Sequence, residues 1–190
     1  MPAPPPDARS QTAEVVSVER CGEDGVVLGV RPATRLPAVR ASRFFMLKRR
    51  DALSPLIPRP FSLYRQRGDV LEFLLKVMGR GTQALAKSRP GDALTLIGPL
   101  GNGWPALAGG GKPWVMLAGG VGSAPFWLGI EQALAGMDGQ RAARKDELVY
   151  LYGAARKGLL YDLDGFKKLG VPVHTATDDG SEGFRGNVLG

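Results

Sequence analysis

The chain changes rhythm once, and that change limits what it can fold into. Up to about residue 103 the apolar residues come in short runs separated by turn residues. Thr12 to Arg20 sets Ala13, Val15 and Val18 against Glu14, Ser17 and Glu19, and Gly25 to Arg31 answers it across Cys21-Gly22-Glu23-Asp24-Gly25, which reads as a β-hairpin. Ser42 to Lys48, Phe61 to Arg65, Val70 to Met78 and Ala93 to Ile97 follow as further strands, with a tight turn at Gln66-Arg67-Gly68-Asp69 and a turn-rich break at Pro55 to Pro58. Six such strands predict a small antiparallel barrel, with one helix inside it from Thr82 to Ser88, started where Thr82 can cap it.

Beyond Gly109-Gly110-Gly111 the pattern is different. Pro113 to Ala118 is an apolar run suited to a buried parallel strand. Ser123 caps a helix with Pro125 early in it, running to about Ala135. Glu147 to Tyr152 is a second strand, Leu159 to Leu169 a second helix and Val171 to Ala176 a third strand. This is half of a doubly wound α/β domain. The expected division is a disordered tail over residues 1–11, a barrel over 12–103 and a partial α/β domain over 112–190.

Composition removes several alternatives. No run approaches the ~18 to 20 apolar residues that cross a membrane, and the opening Met1-Pro2-Ala3-Pro4-Pro5-Pro6 is no secretory signal. Cys21 is the single cysteine, so no intrachain disulfide forms, and a reducing cytoplasm fits. The net charge of +7 invites a nucleic-acid reading. The cations are scattered, however, and the one run, Lys48-Arg49-Arg50, has no interleaved aromatic residues for bases to stack on. Attraction of anionic dinucleotides or of an acidic partner accounts for the charge instead.

Three motifs carry chemistry. Arg59-Pro60-Phe61-Ser62 supplies a bidentate cation for a phosphate and a hydroxyl for the reactive edge of a ring. Gly79-Arg80-Gly81-Thr82 opens a helix, so its amides and the Thr82 hydroxyl suit a pyrophosphate. Each alone has a plain structural reading, an edge strand and a glycine turn; in this order they predict a flavin dinucleotide, FAD. Gly119-Gly120-Val121-Gly122-Ser123 follows a strand and opens a helix, which suits a nicotinamide dinucleotide, although Pro125 breaks the full Gly-x-Gly-x-x-Gly pattern. Arg156 and Lys157 stand where a ribose phosphate could be met, with a solvated helix start preferred. His174 reads as structural, and Asp178-Asp179-Gly180-Ser181 as a turn after a strand rather than a calcium loop.

On these segments, with Gly98-Pro99-Leu100-Gly101-Asn102-Gly103-Trp104, Tyr152-Gly153-Ala154 and Thr177-Asp178, the chain resembles the ferredoxin reductase-like flavoproteins. Within them it is most similar to the electron-transfer subunits of two-subunit bacterial dihydroorotate dehydrogenases, which serve pyrimidine biosynthesis. The resemblance implies an FAD-binding barrel followed by an NAD-binding domain. Arg59, Pro60, Phe61 and Ser62 would contact the flavin and its phosphates, and Leu74, Leu75 and Lys76 its ribityl and adenine side. Gly79, Gly81 and Thr82 would hold the pyrophosphate, and Gly119, Gly120, Val121, Gly122 and Ser123 the nicotinamide dinucleotide. It further implies electron transfer to a 2Fe–2S cluster and to a partner dehydrogenase subunit carrying FMN. The chain departs from that family by stopping before two more strands, a Cys-Gly-Pro segment and four cluster cysteines, which reads as truncation. A reductase acting on ferredoxin or in sulfide metabolism, and a flavin-binding remnant without turnover, are the rival readings.

Overall fold

The computed structural model describes residues 7–51, 56–107, 112–137 and 141–189. The start of the expected tail, Pro55, the Gly109-Gly110-Gly111 boundary and Gly190 lie outside the described residues. Two sheets make up the fold. The first contains β1 (Arg9–Cys21), β2 (Gly25–Pro32), β3 (Phe44–Arg49), β4 (Arg59–Ser62), β5 (Arg65–Arg67), β6 (Val70–Lys76) and β7 (Ala93–Leu100). Their order is β4-β3-β7-β1-β2-β6-β5, antiparallel throughout. The strand β1 starts at Arg9, inside the expected tail, because Arg9 to Gln11 ladder onto Gly98 to Leu96 of β7.

This sheet has seven strands rather than the expected six, because the single strand foreseen at Phe61 to Arg65 is two. At Leu63-Tyr64 the chain crosses from one end of the curled sheet to the other. The Leu63 amide donates to Arg43 O at 3.0 Å and the Tyr64 amide to Glu72 O at 2.9 Å. Both side chains are fully buried, so the crossing closes the barrel at one corner without a turn residue. The helix α1 (Arg80–Ala86) starts two residues ahead of the expected Thr82.

The second sheet is parallel, β11-β10-β9-β8, built from β8 (Trp114–Gly119), β9 (Leu148–Ala154), β10 (Val173–Thr177) and the short β11 (Phe184–Arg185). The helices α2 (Ala124–Ala135) and α3 (Leu163–Lys168) accompany it. The latter is shorter than expected because Leu160 and Tyr161 turn into the core and Asp162 adopts a left-handed conformation, φ 51°. The strand β8 is not the buried run expected. It is an edge strand among the described residues, and Val115 and Leu117, paired with Val149 and Leu151 of β9, remain 62% and 41% exposed.

The two sheets share their cores. Val27 of β2 and Leu74 of β6 are cross-strand partners whose side chains join Tyr64, Trp127 and Tyr150 in the α/β core. Leu128 of α2 joins the barrel core instead. Trp104 settles between them because Gly129 has no side chain, a Cβ there falling 2.8 Å from the Trp104 ring. Gln132 of α2 clamps the barrel loop, accepting from the Ala41 amide at 2.9 Å and donating to Val39 O at 2.7 Å.

Candidate functional site

A first cleft opens between β4 and the end of β6, lined by Arg59, Met78, Gly79, Arg80, Gly81 and Thr82. Arg59 and Arg80 are exposed, and the side chain of neither is paired with another described residue. Gly79 is the N-cap of α1, in extended backbone at φ −161°. Thr82 does not begin the helix but sits at its third position, where Oγ1 accepts from the Met78 amide at 3.0 Å and the Gly79 amide at 3.1 Å. Its hydroxyl is therefore engaged with its own backbone, and helix geometry leaves the amides of Arg80, Gly81 and Thr82 as the open donors of the first turn.

Phe61 and Ser62 are half-buried on β4, opposite Phe45 and Phe44, while Pro60 is exposed. Leu74 and Leu75 have side chains that are 2% and 0% exposed and fill the α/β core and the barrel core, so only their main chain is open to a ligand. Glu72 O points toward β5, where it accepts from Tyr64. Alternation along the strand then directs the peptide groups of Leu74 and Lys76 to the same edge, past the end of β5 and toward β4.

The second cleft is lined by Lys76, Gly119, Gly120, Val121, Gly153, Ala154, Ala155, Leu159, Tyr161, Asp178, Asn187 and Val188. Residues 120–123 form one 3₁₀ turn between β8 and α2, with Gly120 at φ +50°. Ser123 was expected to cap and to hold the dinucleotide. It is fully buried, caps nothing with its side chain, and its Oγ lies 3.1 Å from the Tyr152 hydroxyl. That hydroxyl also meets Gly120 O at 3.1 Å and Tyr161 O at 3.3 Å, so Tyr152 pins the glycine turn from below. Burial raises the Tyr152 phenol's pKa above its ordinary value, which keeps it a neutral donor.

Arg156 and Lys157 are not waiting for a phosphate. Arg156 pairs with Glu23 at 2.7 Å and Lys157 with Glu182 at 3.1 Å. His174 is exposed on β10. Asp179 turns its carboxylate onto the Ser181 amide at 2.9 Å, which closes the expected turn.

The glycines show which positions have space reserved. At Gly98, Gly103, Gly129 and Gly153 a Cβ would strike a neighbour of this chain within 3.0 Å, so packing accounts for them. At Gly79, Gly119 and Gly122 a Cβ would meet nothing within 4 Å, and none of the three has a positive φ. Neither packing nor backbone requires glycine there. Gly79 lines the first cleft and Gly119 the second, with Gly122 in the turn that follows Gly119, and open space above a bare backbone beside free donors fits phosphate groups of bound dinucleotides. FAD in the first cleft and a nicotinamide dinucleotide in the second are thus compatible with the residues present. A 2Fe–2S cluster is not: the sequence has one cysteine, Cys21, and such a cluster takes four ligands.

The two clefts meet through four residues. Lys76 lines the second, and Met78 and Gly79 line the first. The motif reading missed Gly153, Tyr161, Asp178, Asn187 and Val188. Gly153 and Asp178 carried a signal, in the Tyr152-Gly153-Ala154 and Thr177-Asp178 segments, and the bare face of Gly153 is filled by Val188, 2.8 Å from where a Cβ would stand.

No protein-family model matches the chain. It is 39% identical over 137 residues to the dihydroorotate dehydrogenase B (NAD(+)) electron transfer subunit of Desulforamulus reducens, covering 70% of this chain and 48% of that one. The chain spans about half the length of the curated relatives it matches. Among solved structures, the Amycolatopsis cytochrome P450 reductase superimposes with a TM-score of 0.74 over 90% of this chain and 52% of its own, at 24% identity. The ferredoxin-NADP+ reductase of Plasmodium falciparum does so with a TM-score of 0.74 over 89% and 75%, at 11% identity.

Proposed function

From the premise that this chain is a relative of dihydroorotate dehydrogenase electron transfer subunits and carries the ferredoxin reductase-like fold, we propose that it is an FAD-dependent electron-transfer subunit. It passes electrons between NAD and a partner dehydrogenase subunit that carries FMN and oxidises dihydroorotate in pyrimidine biosynthesis. The observation that carries the reading is the set of glycines without a packing role, Gly79 at one cleft and Gly119 and Gly122 at the turn beside the other, joined by residues 76–79.

In this reading Arg59 holds a flavin phosphate, with Arg80 beside it, and the first-turn amides of Gly81 and Thr82 hold the pyrophosphate. Phe61 and Ser62 border the ring, and the main chain of Leu74 and Lys76 offers it donors and acceptors along the open edge of β6. The turn Gly119-Gly120-Val121-Gly122 lets the nicotinamide dinucleotide approach the backbone, and the Tyr152 hydroxyl keeps that turn in place. Bound FAD supplies exchange of a hydride with nicotinamide and of electrons with a partner. The protein's part is to hold both rings and exclude water. The site of action is the cytoplasm; no helix among the described residues is long and apolar enough to cross a membrane.

The test is direct. The purified chain should be yellow, release FAD rather than FMN on denaturation at about one per chain, and bleach with NADH under anaerobic conditions. A colourless protein that takes up neither flavin when supplied with both would overturn the reading. Retention of FAD without NADH reduction would leave a flavin-binding module and remove the electron-transfer role.

A further inference from the structure

Asp162 is the N-cap of α3, the position at which an aspartate ordinarily accepts from first-turn amides, yet its carboxylate caps nothing. It also holds a left-handed backbone, φ 51°, which disfavours a residue with a Cβ. The carboxylate is turned to the barrel instead. It accepts from the Tyr64 hydroxyl, and its Oδ2 lies 3.5 Å from an Arg65 guanidinium nitrogen. Gly165 leaves the room for this, since a Cβ there would fall 2.3 Å from Asp162 Oδ2.

The barrel side of this contact is fixed as well. Tyr64 is fully buried, and burial together with the Asp162 charge raises its phenol's pKa, which keeps it a neutral donor. Arg65 pairs with Glu72 at 2.5 Å and lies over the Tyr64 ring at 4.5 Å and the Trp127 ring of α2 at 5.3 Å. A buried ion pair is a weak source of stability beside an apolar contact of similar size, but it fixes the direction of the donors that share it. Those directions matter here because of what lies on either side. Two residues before Tyr64 is Ser62, the end of β4, which borders the flavin ring in the reading above. Immediately before Asp162 is Tyr161, which lines the second cleft. Its carbonyl accepts from the Tyr152 hydroxyl at 3.3 Å, and that hydroxyl lies 3.1 Å from Gly120 O in the glycine turn. A path of backbone and hydrogen bonds thus runs from the flavin strand to the nicotinamide turn, and Asp162 is its middle member.

We infer that Asp162 is a positioning residue for hydride transfer, the link through Tyr64 that holds the barrel strand beside the flavin in register with the glycine turn beside the nicotinamide. This rests on the two-cleft reading above and deepens it. Asp162 touches neither ligand; it acts on the angle and separation at which the two rings meet, and so on the rate at which bound NADH reduces bound FAD.

The experiment compares wild type, Asp162→Gly, Asp162→Asn and Tyr64→Phe, each loaded with FAD as the full 190-residue chain. Glycine and asparagine both tolerate the left-handed backbone, and asparagine keeps an acceptor for the Tyr64 hydroxyl. FAD content, calorimetric binding of NAD+ and the limiting rate of flavin reduction at saturating NADH, by anaerobic stopped flow, are measured. D162G and Y64F should keep FAD and bind NAD+ within about twofold of wild type, yet reduce flavin about tenfold more slowly at saturation, since misplacing the reacting atoms acts on the rate rather than on occupancy. D162N should recover most of the rate. The double variant of D162G with Y64F should be no slower than either alone, because both break one link. Limiting rates equal to wild type in D162G and Y64F would overturn the inference, as would losses of FAD or of NAD+ affinity large enough to account for the slower reduction. If D162G does not fold, Y64F against D162N decides, and equal rates in the two would refute the positioning. A wild-type chain that takes up no FAD, or whose FAD is not reduced by NADH, would instead sink the two-cleft reading itself.

Discussion

Replacing Gly119 and Gly79 by alanine, with Gly129 as control, tests whether these two glycines are kept for a ligand rather than for the fold. Gly119 has φ −121° and ψ 123°, and Gly79 φ −161° and ψ 174°, both open to any L-residue. Neither new methyl touches the protein. Reduced freedom of the unfolded chain stabilises each variant by about 0.4 to 1 kcal/mol. Loss of a good N-cap residue costs about 0.5 kcal/mol at the turn each precedes. The two effects nearly cancel, so ligand-free unfolding by urea should place both variants within about 0.5 kcal/mol of wild type. Under the proposed function binding should behave differently, because the methyl would occupy the space through which a phosphate approaches the backbone. Displacing a group from close contact by several tenths of an ångström costs on the order of 1 to 3 kcal/mol, or about 5- to 150-fold in affinity. The pattern should also cross. Gly79→Ala should lower FAD occupancy and spare dinucleotide affinity once flavin is supplied, whereas Gly119→Ala should hold FAD and bind NAD+ weakly. Gly129→Ala is the control, since its methyl strikes the Trp104 ring and should lower stability with no ligand present. Equal NAD+ affinity in Gly119→Ala and wild type, with both folded, would refute the reasoning.

Arg59→Ala should weaken FAD by about 1.5 to 3 kcal/mol, because it removes a charged donor from the phosphate. The flavin-free protein should melt unchanged, since the Arg59 side chain is exposed and paired with no described residue. Thr82→Val should lower ligand-free stability by about 1 kcal/mol, as the Met78 and Gly79 amides lose their acceptor; urea unfolding of the flavin-free variant measures this, and no change would assign the hydroxyl to the ligand. Glu147 is held at a pKa of about 2 by the Arg141 guanidinium, which grips both its oxygens, and by the Arg144 amide. Because its pKa falls on folding, the stabilisation is complete above the unfolded value of about 4.3 and is lost as the pH falls toward 2. The melting-temperature gap between wild type and Glu147→Gln should therefore narrow over that window; a gap independent of pH would count against the pairing.

The strands and the two glycine turns were legible because each leaves a local mark: alternation for a strand with one wet face, and glycine after a strand for a backbone that must be approached. What could not be read depended on surfaces brought together from far along the chain. Leu74 and Leu75 are both buried because β6 has the barrel interior on one side and Trp127 of α2 on the other, and alternation cannot register a strand covered twice. Leu63 and Tyr64 carry the chain between two sheet edges with no turn residue to announce it. Ser123 looks like a cap, but the Tyr152 hydroxyl twenty-nine positions away takes it inward. Val115 and Leu117 look buried in sequence and are not, because the helices of this chain lie against the other face of their sheet.

The exchange of Val27, Tyr64 and Leu74 for Leu128 across the two cores bears on how the molecule comes apart. A hinge between the sheets cannot open without pulling barrel residues out of one core and a helix residue out of the other. Each fully buried side chain so exposed forfeits about 1.5 to 3 kcal/mol, so opening approaches the whole of a typical domain's stability. The chain should therefore unfold as one cooperative unit with a single heat-absorption peak, and the distance between its two clefts is fixed by packing rather than left to diffusion of one half against the other.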